Sequence, residues 1–136
     1  MRNTLLPDFA LALPGLLHGY LAQAVESVFE ATADSPLACE FAEWLIMKEI
    51  CHAQSYSTLE RYRVMKIGNL CKGWLASGFA NPDMAVWKVK FVYSVASSIS
   101  CCDPAGFRQM LTNARFCLIM LREQCCQTIM EAKDAA

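Results

Sequence analysis

At 136 residues the chain has the size of one domain and is long enough to bury about two-thirds of its unfolded surface, so it can fold without staples. Apolar residues make up 55% and charged residues 18%, below the roughly 25% of an average soluble domain, which predicts an exposed apolar patch beyond the core. A net charge of −1 and a pI near 6.1 leave no basic footprint, so no nucleic-acid partner is expected.

Residues 1–7 read as a loose arm. From Asp8 to Ala31, Leu13, Leu16, Leu17, Tyr20, Leu21, Ala24, Val25 and Val28 recur at three- and four-residue intervals, which predicts a first helix bent or delayed at Pro14-Gly15. The break Thr32-Ala33-Asp34-Ser35-Pro36 places a capping residue before a proline and opens a second helix to about Ala53, with Leu37, Phe41, Trp44, Leu45, Lys48 and Cys51 on one side. Ser57-Thr58-Leu59-Glu60 is a capping box for a third helix carrying Val64, Ile67, Leu70, Cys71, Trp74 and Leu75, weakened by Gly68 and Gly73 and stopped by Gly78.

The stretch NPDMAVWKVKFVYSVASSISCC, residues 81–102, is the predicted centre of the fold. Asn81 caps it, Pro82 takes the first helical position, and no charge follows Lys90 until Asp103. A helix apolar or small all round is one that its neighbours wrap. Asp103-Pro104 then opens the last helix, whose stripe is Phe107, Met110, Leu111, Ala114, Leu118 and Leu121. No alternating strand pattern occurs, and the short connections predict an all-α bundle of five to seven helices, one domain over residues 1–136, around a buried central helix.

Eight cysteines in a short secreted chain would suggest disulfides, but Cys39, Cys51, Cys71 and Cys117 lie inside helical patterns, where a thiol acts as a small buried hydrophobe. A reduced, intracellular protein without a leader or membrane anchor is the expectation, since Pro7, Asp8 and Pro14 interrupt the only early apolar run and the tail QTIMEAKDAA is polar. Cys51 and His52 are sequence neighbours, pointing about 100° apart on a helix, and cannot act as nucleophile and base together. Neither Cys-x-x-Cys nor His-x-x-x-His occurs, so no enzyme, cofactor or metal is expected.

The aromatic residues Trp44, Trp74, Trp87, Phe91 and Tyr93 lie on three successive helices. Core packing accounts for them one by one, but with so little charge they also fit a groove for an amphipathic helix. From Leu75 onward the chain resembles the Bcl-2 family. Leu75-Ala76-Ser77-Gly78 stands for the helix end before the family's central hairpin, Trp87 for the tryptophan of its Asn-Trp-Gly-Arg motif, Ser97-Ser98 for the small pair, and Ser100-Cys101-Cys102-Asp103-Pro104 for the turn into the second hairpin helix, here Phe107 to Gln124.

By that matching Lys88 stands at the motif's glycine and Val89 at its groove arginine, leaving Lys88 or Lys90 to meet a ligand carboxylate without arginine's bidentate fork. The resemblance implies a groove in which Ile67, Leu70 and Trp74 of the third helix and Trp87, Lys88, Lys90, Phe91 and Val92 of the central helix face Phe41, Trp44 and Leu45 of the second. The late tryptophan motif and the C-terminal anchor are absent, as in compact homologues from large DNA viruses. The implied function is suppression of host cell death in the host cytoplasm, peripherally at mitochondria, by stoichiometric capture of BH3 helices from pro-apoptotic proteins of the Bim, Bak or Bax class. The apolar excess adds the expectation of a homodimer. An unrelated helical interaction protein explains the composition equally well and loses only the ordered match around Trp87.

Overall fold

Pro14 decides how the chain enters the bundle. In the computed structural model, which describes residues 8–30, 35–52, 55–76 and 84–135, the expected helix from Asp8 to Ala31 is three pieces. A short α1 (Asp8–Leu11) leads into a 3-10 turn (Leu13–Leu16) that contains Pro14, and α2 (Gly19–Glu30) starts anew. Between them Leu17 is extended (φ −106, ψ 167), and Gly19 takes φ 65, a left-handed conformation open to glycine at little cost. The break exposes the backbone N–H of His18, which donates to Tyr56 Oη at 3.3 Å while the two rings stack 4.0 Å apart.

Three of the later helices begin where their caps predict. Ser35 Oγ accepts from Ala38 N–H at 3.2 Å, with Pro36 opening α3 (Pro36–Cys51). Ser57 and Glu60 form the reciprocal capping box of α4 (Thr58–Ala76), both bonds 3.1 Å. Asp103 Oδ2 accepts from Gly106 N–H at 3.1 Å to start α6 (Pro104–Ala135), after α5 (Met84–Ser100) has ended. α6 continues past Gln124 through the tail expected to be merely polar, because no glycine or proline interrupts it and pairs such as Gln127 with Glu131 bond one turn apart. The arm at 1–7, the break residues 32–34, the stop at Gly78 and the cap Asn81-Pro82 lie outside the described residues.

Among the described residues every element is helical. The hairpin of α5 and α6 is the most extensive helix pair. α4 packs on the other flank of α5, α3 packs on α6, α2 packs on α3, and α1 with the 3-10 turn reaches back to α4. No residue of 86–100 is exposed, and Phe91 is the largest side chain sealed completely inside, beside Val92, Val95, Ala96 and Ile99. Leu111, Ala114, Leu118 and Leu121 meet them from α6 as expected, while Met110 is only half-buried.

Small residues set how closely these helices approach. A Cβ built on Gly68 of α4 would stand 3.2 Å from the Cβ of Ala96 on α5, so the glycine that weakens α4 as a helix permits its contact with the centre. Gly73, one and a half turns on, faces open space. Gly73→Ala should therefore stabilise the fold by about 0.5–1 kcal/mol through helix propensity alone, whereas Gly68→Leu should cost about 1–3 kcal/mol through overpacking. Urea unfolding of the two variants beside the parent checks both signs.

Candidate functional site

The groove expected between the second, third and central helices is not assembled as one face. α3 packs against α2 and α6, and α4 against α5, so its two expected walls stand on different flanks of the α5/α6 pair. Leu45, Ile67, Phe91 and Val92 are core residues and present nothing to a ligand. Leu70 points outward from α4, and Trp74 is half-buried against the core. Trp87 sits at the α5/α6 seam, edge-on to Phe116 with ring centroids 6.0 Å apart, and the Lys90 ammonium lies 4.4 Å from the Trp87 ring centroid. Lys90 thus lies over an aromatic face within its own helix, and it is the Phe116 ring against Trp87 that closes this site from within. Lys88 is half-buried near Cys39 of α3, where its charge favours the thiolate.

Phe41 and Trp44 do remain available. They belong to an outward ridge on α3 that runs Leu37, Phe41, Trp44 and Met47, exposed by 75%, 49%, 53% and 39%. The inward face of the same helix is Cys39, Ala42, Leu45, Ile46 and Glu49, so Leu45 does not share the side of Phe41 and Trp44 as expected. α3 is apolar on opposite faces, and only one of them is covered. The ridge is ordered from below: the Phe41 and Trp44 rings stack 6.1 Å apart, and Lys48 lies 4.6 Å over Trp44. On its flank, Glu43 Oε2 accepts from Arg115 Nε at 2.8 Å and Glu43 Oε1 lies 3.5 Å from Arg122, while Glu40 is 4.0 Å from Arg122. These pairs hold α3 on α6.

Leu37 and Met47 are the ridge residues that the expected groove left out. Their signal was the interval of three or four from Leu37 to Cys51, which overlaps a second apolar stripe on the same helix. Clefts of 310, 700 and 210 Å³ open beside Tyr56 and Phe107, along α6 between Met120 and Asp134, and beside Gly68 and Tyr93, and none of the three is lined by a residue of the expected groove.

Cys51 and His52 are both exposed at the end of α3, which corrects the expectation of a buried Cys51. Among the described residues no cluster of three or more His, Cys, Asp or Glu could hold a metal ion, and no helix is long and apolar enough to cross a membrane. Compared with known proteins, the chain matches no family model, no curated protein and no solved structure.

Burial shifts two ionisable groups, one just before α4 and one within it, furthest from their ordinary values. Desolvation, helped by the nearby charges of Glu49 and Glu60, pushes the Tyr56 hydroxyl up to about 12, and desolvation alone takes the Cys71 thiol to about 12. Both folded values lie above the unfolded ones, so the fold keeps both groups neutral and loses stability as pH rises past about 9 for the thiol and about 10 for the phenol. The denaturant midpoint should therefore fall steadily from pH 8.5 to 11, and Tyr56→Phe should flatten the part of the slope above pH 10.

Proposed function

We propose that this protein acts by stoichiometric capture of an amphipathic helix along the α3 ridge and, following the Bcl-2 resemblance, that the captured helix is the BH3 segment of a pro-apoptotic protein of the Bim, Bak or Bax class. Capture in the host cytoplasm, peripherally at mitochondria, suppresses host cell death, and no reaction is catalysed. The observation that carries the reading is the ridge itself. Leu37 to Met47 spans roughly 15 Å of helix at 1.5 Å per residue, the length over which a partner helix presents anchors at i, i+3 or i+4, and i+7. The α5/α6 hairpin, entered through the expected Asp103-Pro104 turn, supports the same reading.

On this ridge Lys48 takes the part that Lys88 or Lys90 was expected to play. It stands beside Trp44 on the last exposed turn of α3, where its ammonium can meet a carboxylate on the ligand. Large aromatics dominate interface energies, so truncating a central one should cost about 2 kcal/mol, roughly thirtyfold in affinity. A titration with BH3 peptides of the three classes should give saturable binding, weakened about thirtyfold by Trp44→Ala and more modestly by Lys48→Glu. Trp44 is half exposed, so its loss leaves the core intact. Indifference of the unaltered protein to every peptide at tens of micromolar would end the BH3 reading, and binding that survives both substitutions would move the site off α3.

Self-association on the same ridge is a second proposal, favoured by its charge pattern. Glu40 and Lys48 stand one turn to either side of Trp44, so a two-fold axis beside Trp44 sets Glu40 of each copy against Lys48 of the other. Sedimentation at high micromolar concentration should reveal a dimer that Trp44→Glu dissociates and a bound peptide displaces. A purely monomeric protein there removes the proposal.

A further inference from the structure

We propose that Cys39 and Cys125 form a redox-modifiable thiol pair, which hydrogen peroxide closes into a disulfide tying α3 to α6. The inference stands apart from helix capture and rests on the seam between these two helices.

The seam's register comes from its ion pairs. Glu43 pairs with both Arg115 and Arg122, and Glu40 with Arg122, so earlier positions on α3 meet later positions on α6, as antiparallel helices require. One further residue back on α3 is Cys39, and three residues forward on α6 is Cys125, so the same register brings the two positions to one level of the seam. Their side chains are in fact hydrogen-bonded, and both are almost completely buried in the core cluster. A disulfide needs Cβ atoms about 3.5–4.5 Å apart, and sulfurs already in hydrogen-bond reach across a helix seam start near that geometry.

Reactivity singles out the same pair. The hydrogen bond from Cys125 holds the Cys39 thiol below its ordinary range, with the charges of Lys88 and Arg122 adding to the effect against burial and Glu40. The other buried thiols go the opposite way: burial drives Cys71 to about 12 and raises Cys117. Since the thiolate is the nucleophile, the lowered thiol distinguishes Cys39 from the other buried cysteines.

In the first step the Cys39 thiolate attacks one peroxide oxygen, the O–O bond breaks, and the departing hydroxide takes up a proton as water, leaving a sulfenic acid on Cys39. The Cys125 sulfur then attacks the sulfenic sulfur, the S–O bond breaks, and the oxygen leaves as a second water with the Cys125 proton. Two thiols are oxidised and one peroxide is reduced to two waters. The new bond closes a long loop and holds the ridge-bearing helix on α6, and a dithiol reductant reverses it.

Peroxide treatment of the purified chain, followed by alkylation under denaturing conditions and peptide mapping, tests the assignment. The expected result is a linked peptide pair containing Cys39 and Cys125, a loss of two hydrogens reversed by dithiothreitol, and a melting temperature higher by roughly 10 °C. Cys126→Ser should retain the link, whereas Cys39→Ser and Cys125→Ser should each abolish it and the thermal shift. Mapping of the unaltered chain decides the matter even if a serine variant folds poorly. Recovery of Cys39 and Cys125 as alkylated thiols after the exposed Cys51, Cys102 and Cys126 have been oxidised overturns the proposal, as does a link from Cys39 to any other cysteine.

Discussion

Because α5 keeps only a half-buried stripe of Lys90, Tyr93, Ser97 and Ser100 toward water, it persists only where other helices cover it, and that requirement arranges the rest of the chain. α6 covers one flank through Leu111, Ala114, Leu118 and Leu121, and α4 covers the other through Val64, Ile67 and Cys71. Burial on this scale is worth roughly 1.5–3 kcal/mol for each large apolar side chain, far more than a surface ion pair at about 0–1 kcal/mol. The polar groups taken inside with α5 are small and satisfied: Ser98 Oγ donates to the carbonyl of Val95 at 2.7 Å, and Ser94 lies 4.0 Å from the sulfur of Cys117. Small size and local hydrogen bonding let serine occupy a seam where a larger polar side chain would need a partner of its own.

The seam between α3 and α6 works differently. Along its flank Glu43 is shared between Arg115 and Arg122. Glu43 is largely shielded while the arginines remain partly exposed, so the pairs contribute modestly to stability while marking the register of the seam. That register brings Cys39 to Cys125 and turns Leu37, Phe41, Trp44 and Met47 outward. Ridge and thiol pair are therefore two consequences of one alignment.

An apolar ridge left in water has a cost that the surrounding chemistry only partly offsets. Lys48 over Trp44 and the stacking of Phe41 on Trp44 restrict those rings before any partner arrives, which lowers the entropy lost on binding. The same arrangement recurs where Lys90 covers Trp87, but there Phe116 packs against the indole and the site is already occupied from within. That difference separates the two tryptophans expected to act together.

Local signals carried most of the fold. Ser35, Ser57 with Glu60, and Asp103 cap helices through bonds that reach no further than three residues, so neighbouring sequence alone determined where α3, α4 and α6 begin. The uncharged run after Lys90 likewise determined that α5 is buried, because an element with no polar face has only one place to go. What sequence could not decide was which of two apolar faces on α3 turns inward. Both stripes obey the helical period, and the choice falls to which of them packs on α2 and α6, with Glu40 and Glu43 meeting Arg115 and Arg122 on a helix more than seventy residues away. The expected groove failed for that reason: it assumed that α3 and α4 wall the same side of α5, and adjacency between helices is set by tertiary packing, which no local spacing encodes.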